Sequence, residues 1–132
     1  MKIAPLLFLL LASCVCREVT QRVYLCERVV DGDTIEINYD GEPTKIRILG
    51  IDTPERGQPG FTEATNATKS MVENKYIVIE FASDTKRDNF GRLLCAVSVD
   101  NVDLGSWLLE HGYAKVYEGY RCRTLVKSGV RD

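Results

Sequence analysis

Three short stretches carry side chains that could act on a phosphate or hold a cation. Asp31-Gly32-Asp33-Thr34 sets two carboxylates around a glycine. The run ILGIDTPE, from Ile48 to Glu55, places Asp52, Thr53, Pro54 and Glu55 directly after an apolar segment, with Arg47 just upstream of it. In DNFGRLLCAV, Arg92 follows Phe90-Gly91.

Each stretch has a plain alternative. Asp-Gly is ordinary turn chemistry, and carboxylates near arginines can be a surface salt-bridge cluster. In combination they allow more. Carboxylates with backbone carbonyls make the hard-oxygen environment that Ca²⁺ prefers. Arginines beside such a site oppose the cation unless a phosphate lies between them, where the planar guanidinium fork can bind two oxygens at once. A carboxylate not consumed by the metal can orient or deprotonate a water.

The elements that would position these groups can be read from pattern. Residues 19–30 are rich in β-branched and apolar types and predict a long strand ending at Asp31-Gly32. Residues 34–39 alternate, with Ile35, Ile37 and Tyr39 on one face and Glu36 and Asn38 on the other. Asp40-Gly41 predicts a type I′ hairpin turn, because both central residues need positive φ. The return strand is expected over residues 44–51. Counting outward from the turn pairs Thr34 with Arg47 and brings Asp33 beside Ile48. Asp52 lies past the paired region, so its approach to Asp33 requires a bend.

A loop with Pro54, Gly57, Pro59 and Gly60 precedes a helix expected over residues 62–73, with Thr62 as its cap. Strands follow over residues 76–81 and 92–99, separated by a polar loop, and Asp100-Asn101 makes a turn. Asp103 then caps a short helix with Leu104, Trp107, Leu108 and His111 on one face and Gly112 as its stop. The pattern predicts a β-rich α+β domain, a five-stranded OB-type Greek-key barrel with two packed helices. An open α+β sandwich is the weaker alternative.

With 132 residues the chain suits one compact domain, and its 45% hydrophobic and 27% charged content argues against disorder. A formal net charge of −2 gives no global attraction to a polyanion. Binding one would rest on local cations such as Lys45, Lys86, Arg87, Lys115, Arg121 and Arg123, and would weaken with salt.

The N-terminal MKIAPLLFLLLASC has Lys2 followed by an apolar run over residues 3–12. That run falls short of the roughly 20 residues needed to span a bilayer and fits the apolar region of an export signal. Leu11-Ala12-Ser13-Cys14 also resembles a bacterial lipobox, with Cys14 as a lipidated mature N-terminus; a plain signal peptide is the alternative. Residues 1–13 are therefore set apart from a domain at 19–120 and a tail at 121–132. The expected location is the cell envelope, as a lipoprotein, or the secreted or periplasmic space, with Cys14 the only membrane contact. Cys14, Cys16, Cys26, Cys95 and Cys122 include no CxxC pair, and His111 is the single histidine, which argues against a Cys/His metal site. For Cys26 and Cys95, burial as free thiols and disulfide pairing both stay open.

VVDGDTIEI, RILGIDTPE and DNFGRLLCAV, in this order, resemble the staphylococcal (micrococcal) thermonuclease family, and LLEHGYAKVY resembles its second helix and following strand. The resemblance covers nearly all of residues 19–120. It implies an OB-type barrel and a monomeric, Ca²⁺-dependent phosphodiesterase acting on DNA and RNA, with single-stranded or unpaired regions favoured. Water attack on phosphorus would release the 5′-oxygen and leave 3′-phosphate ends.

Carried onto this chain, the resemblance makes Asp33 and Asp52 carboxylate ligands of calcium and Thr53 a carbonyl ligand. Glu55 would handle the attacking water, and Arg47 and Arg92 the phosphate, with Asp31 supporting from behind. Phe90, Lys115, Tyr117 and Tyr120 are the nucleotide-binding candidates, while Tyr113 suits groove or core equally. Asn89-Phe90 stands where the family often carries Lys-Tyr, which removes a cation and a hydroxyl. The alternative from another class is a non-catalytic OB module that binds single-stranded nucleic acid; it would need a broken catalytic set.

Overall fold

The computed structural model describes residues 22–81 and 87–119. Strands β1 (Arg22–Asp31), β2 (Thr34–Tyr39) and β3 (Glu42–Ile48) form an antiparallel meander. Asp40 and Gly41 take φ of 53° and 89°, as the expected hairpin turn requires. Its register opposes Thr34 to Arg47, and Ile48 N donates to Asp33 O at 2.9 Å. The short β4 (Ile51–Asp52) and helix α1 (Phe61–Val72) follow, then β5 (Tyr76–Phe81) and β6 (Leu93–Val99). The chain continues through β7 (Val102–Asp103), α2 (Leu104–Glu110) and β8 (Lys115–Val116).

β1 pairs with both β2 and β5, β5 pairs with β6, and β6 returns to pair in parallel with β3 through Ile46↔Leu93, Arg47↔Leu94 and Ile48↔Cys95. The five long strands thus close into the expected OB-type barrel, whose closure leaves no long open edge. Ile35, Ile37, Ile46, Ile77, Leu93 and Val97 fill its interior, each at most 1% exposed. Burying such an aliphatic side chain contributes about 1.5–3 kcal/mol. Helix α1 packs through Ala64, Ala67, Thr68 and Val72, and α2 through Leu104 and Leu108. Asp103 caps α2 as expected, accepting from Ser106 N at 2.9 Å. Cys26 and Cys95 are buried free thiols.

Two local expectations are corrected. The return strand stops at Ile48 rather than running to residue 51, because Gly50 takes φ of 80° and turns the chain before β4. Thr62 does not cap α1; the helix starts one residue earlier, behind Gly60 at φ 91°, with no side-chain cap. Among the described residues no helix is long and apolar enough to cross a membrane. The expectations for residues 1–13, Cys14, Cys16, Lys86, Tyr120, Arg121, Cys122 and Arg123 lie outside the described residues.

Candidate active site

The turn at Gly50 is built around Arg47. Arg47 Nη1 donates to Ile48 O at 2.7 Å and Ile51 O at 2.8 Å, the carbonyls flanking the turn. Its Nη2 faces Asp52 Oδ1 at 3.3 Å and Asp33 Oδ2 at 3.5 Å. Held this way, Arg47 is 6% exposed yet borders a cleft, with the Tyr117 ring centroid 5.7 Å from its Cζ. The bend that brings Asp52 toward Asp33 therefore has a physical cause: one buried cation gathers two carbonyls and two carboxylates.

Asp33 is fixed from three sides. Thr34 Oγ1 donates to its Oδ1 at 3.0 Å, Thr53 N donates to its Oδ2 at 3.1 Å, and its own N donates to Asp31 Oδ1 at 3.1 Å. Burial alone would raise the Asp33 carboxyl, but Arg47, Asp31, Thr53 N and Thr34 together hold it below the ordinary carboxylate value. Asp31 moves the other way: burial, then its hydrogen bond and charge contact with Asp33, push it up to about 6. Asp52 is raised by desolvation and by the Asp33 charge. Of these three, Asp33 alone is shifted toward the ionised form.

Arg92 enters from the neighbouring strand, immediately before β6, which lies beside β3. Its Nε donates to Asp88 Oδ2 at 2.7 Å, and the Asp88 Oδ1 accepts from Arg92 N and Phe90 N, both at 2.9 Å. Burial alone would raise Asp88, but those hydrogen bonds bring it below the ordinary carboxylate value. Phe90 is 83% exposed, and its ring centroid lies 5.4 Å from the Arg92 Cζ. Glu55 is exposed at the cleft, where its N donates to Gln58 Oε1 at 2.8 Å and its carbonyl accepts from Gln58 N at 2.9 Å.

Asp31, Asp33, Arg47, Asp52, Thr53, Glu55 and Arg92 all line this one cleft of about 530 Å³, together with Phe90 and Tyr117. Lys115 is not among its lining residues. Although β8 pairs it with Asp52 on β4, Lys115 lines an adjoining cavity of about 360 Å³ with Tyr113 and Gln58. Tyr113 also stacks on Trp107 at 5.9 Å and packs against the core.

Three contributors escaped the sequence reading. Arg56 lines the cleft from its loop. Asp88 was legible only as the opening residue of DNFGR, four positions before Arg92. Thr68 was legible only as a polar residue among the buried positions of α1, where its hydroxyl donates to Gly32 O at 2.7 Å.

A divalent cation suits this donor set in one form. Among the described residues no three Asp, Glu, Cys or His side chains gather into a metal cage. Two carboxylates, Asp33 and Asp52, share one side of the cleft, and Asp52 is raised by desolvation and then by the Asp33 charge, against the pull of Arg47; a bound cation would favour its ionised form. With oxygen donors only, the fit is to a hard cation in an open site completed by backbone, water or substrate oxygens.

The architecture is that of a closed OB-type barrel with an arginine- and carboxylate-lined cleft at one rim. The family description "Staphylococcal nuclease homologue" matches residues 45–128. The chain is 36% identical over 104 residues to the SPbeta prophage-derived endonuclease YokF of Bacillus subtilis, covering 74% of this chain and 35% of that protein. It is 34% identical over 121 residues to an uncharacterized endonuclease of Escherichia coli, covering 90% and 75%. To the thermonuclease of Staphylococcus intermedius it is 35% identical over 98 residues, covering 70% and 58%. The chain belongs to the staphylococcal nuclease family. It spans about a third of the length of YokF, and 49% of the B. subtilis endonuclease YncB.

Proposed function

We propose that this protein is a nuclease: a Ca²⁺-dependent phosphodiesterase that hydrolyses DNA and RNA, favouring single-stranded or unpaired regions and leaving 3′-phosphate ends. The observation that carries the reading is the convergence of Arg47, Glu55 and Arg92 with Asp33 and Asp52 on one cleft. Membership of a family with relatives named endonuclease and thermonuclease supports it.

In this reading Arg47 and Arg92 grip the nonbridging oxygens of the scissile phosphate from adjacent strands, each already oriented by carbonyl or carboxylate partners. Glu55 orients a water and takes its proton as the water oxygen bonds to phosphorus. The bond from phosphorus to the 5′-oxygen breaks, and that oxygen leaves as a hydroxyl after taking a proton from solvent water. The arginines stabilise the charge that builds on the phosphoryl oxygens, an effect of the order of ~2.7–4 kcal/mol per well-placed donor. Asp33, Asp52 and the Thr53 carbonyl would hold Ca²⁺, which would supply further positive charge to stabilise the transition state. Asp31 supports Asp33. Phe90 and Tyr117 offer stacking surfaces to bases, worth ~1–3 kcal/mol each where stacking forms. The N-terminal apolar run supports export, with lipidation of Cys14 as one route to the envelope.

The test is incubation of the purified protein with DNA and with RNA, in Ca²⁺ and then in EGTA, with analysis of the product ends. Cleavage in Ca²⁺ only, giving 3′-phosphates, is expected. Tight nucleic-acid binding without cleavage would instead establish the non-catalytic binding module. Cleavage that survives both Glu55→Ala and Arg92→Ala would overturn the assigned roles.

A further inference from the structure

We propose that Thr68 is a positioning residue for the cation-binding loop, an inference that rests on the calcium-dependent reading above. Thr68 lies on the packed side of α1 with Ala64, Ala67 and Val72, and is fully buried. Its hydroxyl reaches 36 residues back along the chain to the Gly32 carbonyl, at 2.7 Å. Gly32 is pressed from its other side as well. A Cβ at this position would stand 2.8–2.9 Å from three atoms of the Thr53 side chain, so the loop is clamped between α1 and Thr53.

The clamp bears directly on the carboxylates. Asp33 follows Gly32 and accepts from Thr53 N at 3.1 Å, and Asp52 precedes Thr53 in the chain. Thr68 therefore sets where the Asp31–Asp33 loop sits relative to β4, and with it the separation of the two cation-binding carboxylates. A threonine that only satisfies itself in the core would affect stability and nothing else. A positioning threonine changes calcium affinity and turnover at temperatures where the protein is fully folded.

Four variants separate the two roles by calcium titration calorimetry, thermal unfolding and steady-state kinetics. Thr68→Val keeps the shape and removes the hydroxyl; it should weaken calcium binding about 10- to 100-fold, the usual effect of losing a group that orients a metal ligand. It should also lower kcat more than it raises KM for nucleic acid. Thr68→Ser, which keeps the hydroxyl, should recover most of the affinity. Val72→Ala, one turn further along the same helix, should lower the Tm while calcium affinity stays unchanged. Gly32→Ala displaces the loop from the Thr53 side and should reproduce the Thr68→Val loss even if that variant does not fold. The proposal is overturned if folded Thr68→Val binds calcium like the unsubstituted protein, if Gly32→Ala does so, or if Val72→Ala loses as much affinity. Absence of calcium binding by the unsubstituted protein would overturn the functional reading itself, and this inference with it.

Discussion

The carboxylate of Asp88 accepts the Nε–H of Arg92 at 2.7 Å, and its side chain is only 1% exposed. One oxygen aims the guanidinium while the other ties down the two backbone amides of the loop that presents it. Replacing Asp88 by alanine removes a hydrogen bond to a charged group, worth about 1.5–3 kcal/mol. If that energy is used to orient Arg92 for the transition state, kcat/KM should fall about 10- to 100-fold. Kinetics on a defined oligonucleotide check this, and a variant with unchanged kcat/KM would show that Arg92 finds its place without Asp88.

The same carboxyl makes an acid-side prediction. Its value in the folded protein lies below the ordinary 3.8, so its stabilising contribution is complete above that pH and is lost as pH falls through the lowered value. Asp88→Asn should therefore remove part of the acid sensitivity below about pH 4. Urea unfolding of both proteins at several pH values measures the difference in slope.

Arg47 is a structural centre of the Gly50 turn as well as a lining residue of the cleft. Arg47→Ala would strand the Ile48 and Ile51 carbonyls and leave Asp33 without its nearest cation. Breaking a buried ion pair from one side costs about 3–5 kcal/mol. Urea unfolding should report that loss, and Arg47→Lys should restore little of it, because a lysine cannot serve two carbonyls and two carboxylates in one fork. Full stability in Arg47→Lys would refute this account of the turn.

Calcium should stabilise the folded chain. At a concentration 100 times its Kd, a ligand that binds only the native state adds about 2.7 kcal/mol. Thermal unfolding in Ca²⁺ and in EGTA should differ accordingly, and Asp52→Asn should shrink the gap. A gap unchanged in Asp52→Asn would place the cation elsewhere.

Burial pushes the Cys26 thiol up to about 11 and the Cys95 thiol up to about 12, so neither supplies thiolate at neutral pH. Both should resist alkylation in the native protein at pH 8 and react once it is unfolded in urea. Peptide mass spectrometry distinguishes them from the other cysteines.

Much of this arrangement could be read before any coordinates. Asp-Gly at 40–41 fixes a two-residue hairpin, and the hairpin fixes Thr34 opposite Arg47; a local signal dictated a catalytic-scale register. Strand and helix identities followed from periodicity in the same way. The Gly50 turn was harder, because ILGID is apolar enough to continue a strand; the strand ends where Gly50 takes positive φ and Arg47 holds the carbonyls on either side of it. The placement of Arg92 was harder still. It depends on the parallel pairing of β3 with β6, which joins segments far apart in the chain and leaves no local trace. Thr68 looks like any helix residue until its partner on a distant loop is seen.

That closing pair has a bearing on when the cleft can exist. The pairing of Ile46 with Leu93 joins segments separated in the chain by β4, α1 and β5, and long-range pairings of this kind form slowly because loop-closure entropy must be overcome first. Arg47 and Arg92 sit on the two strand ends joined by that event. The two arginines that line the cleft are thus brought together through this long-range pairing, so the cleft depends on closure of the barrel and not on any local segment.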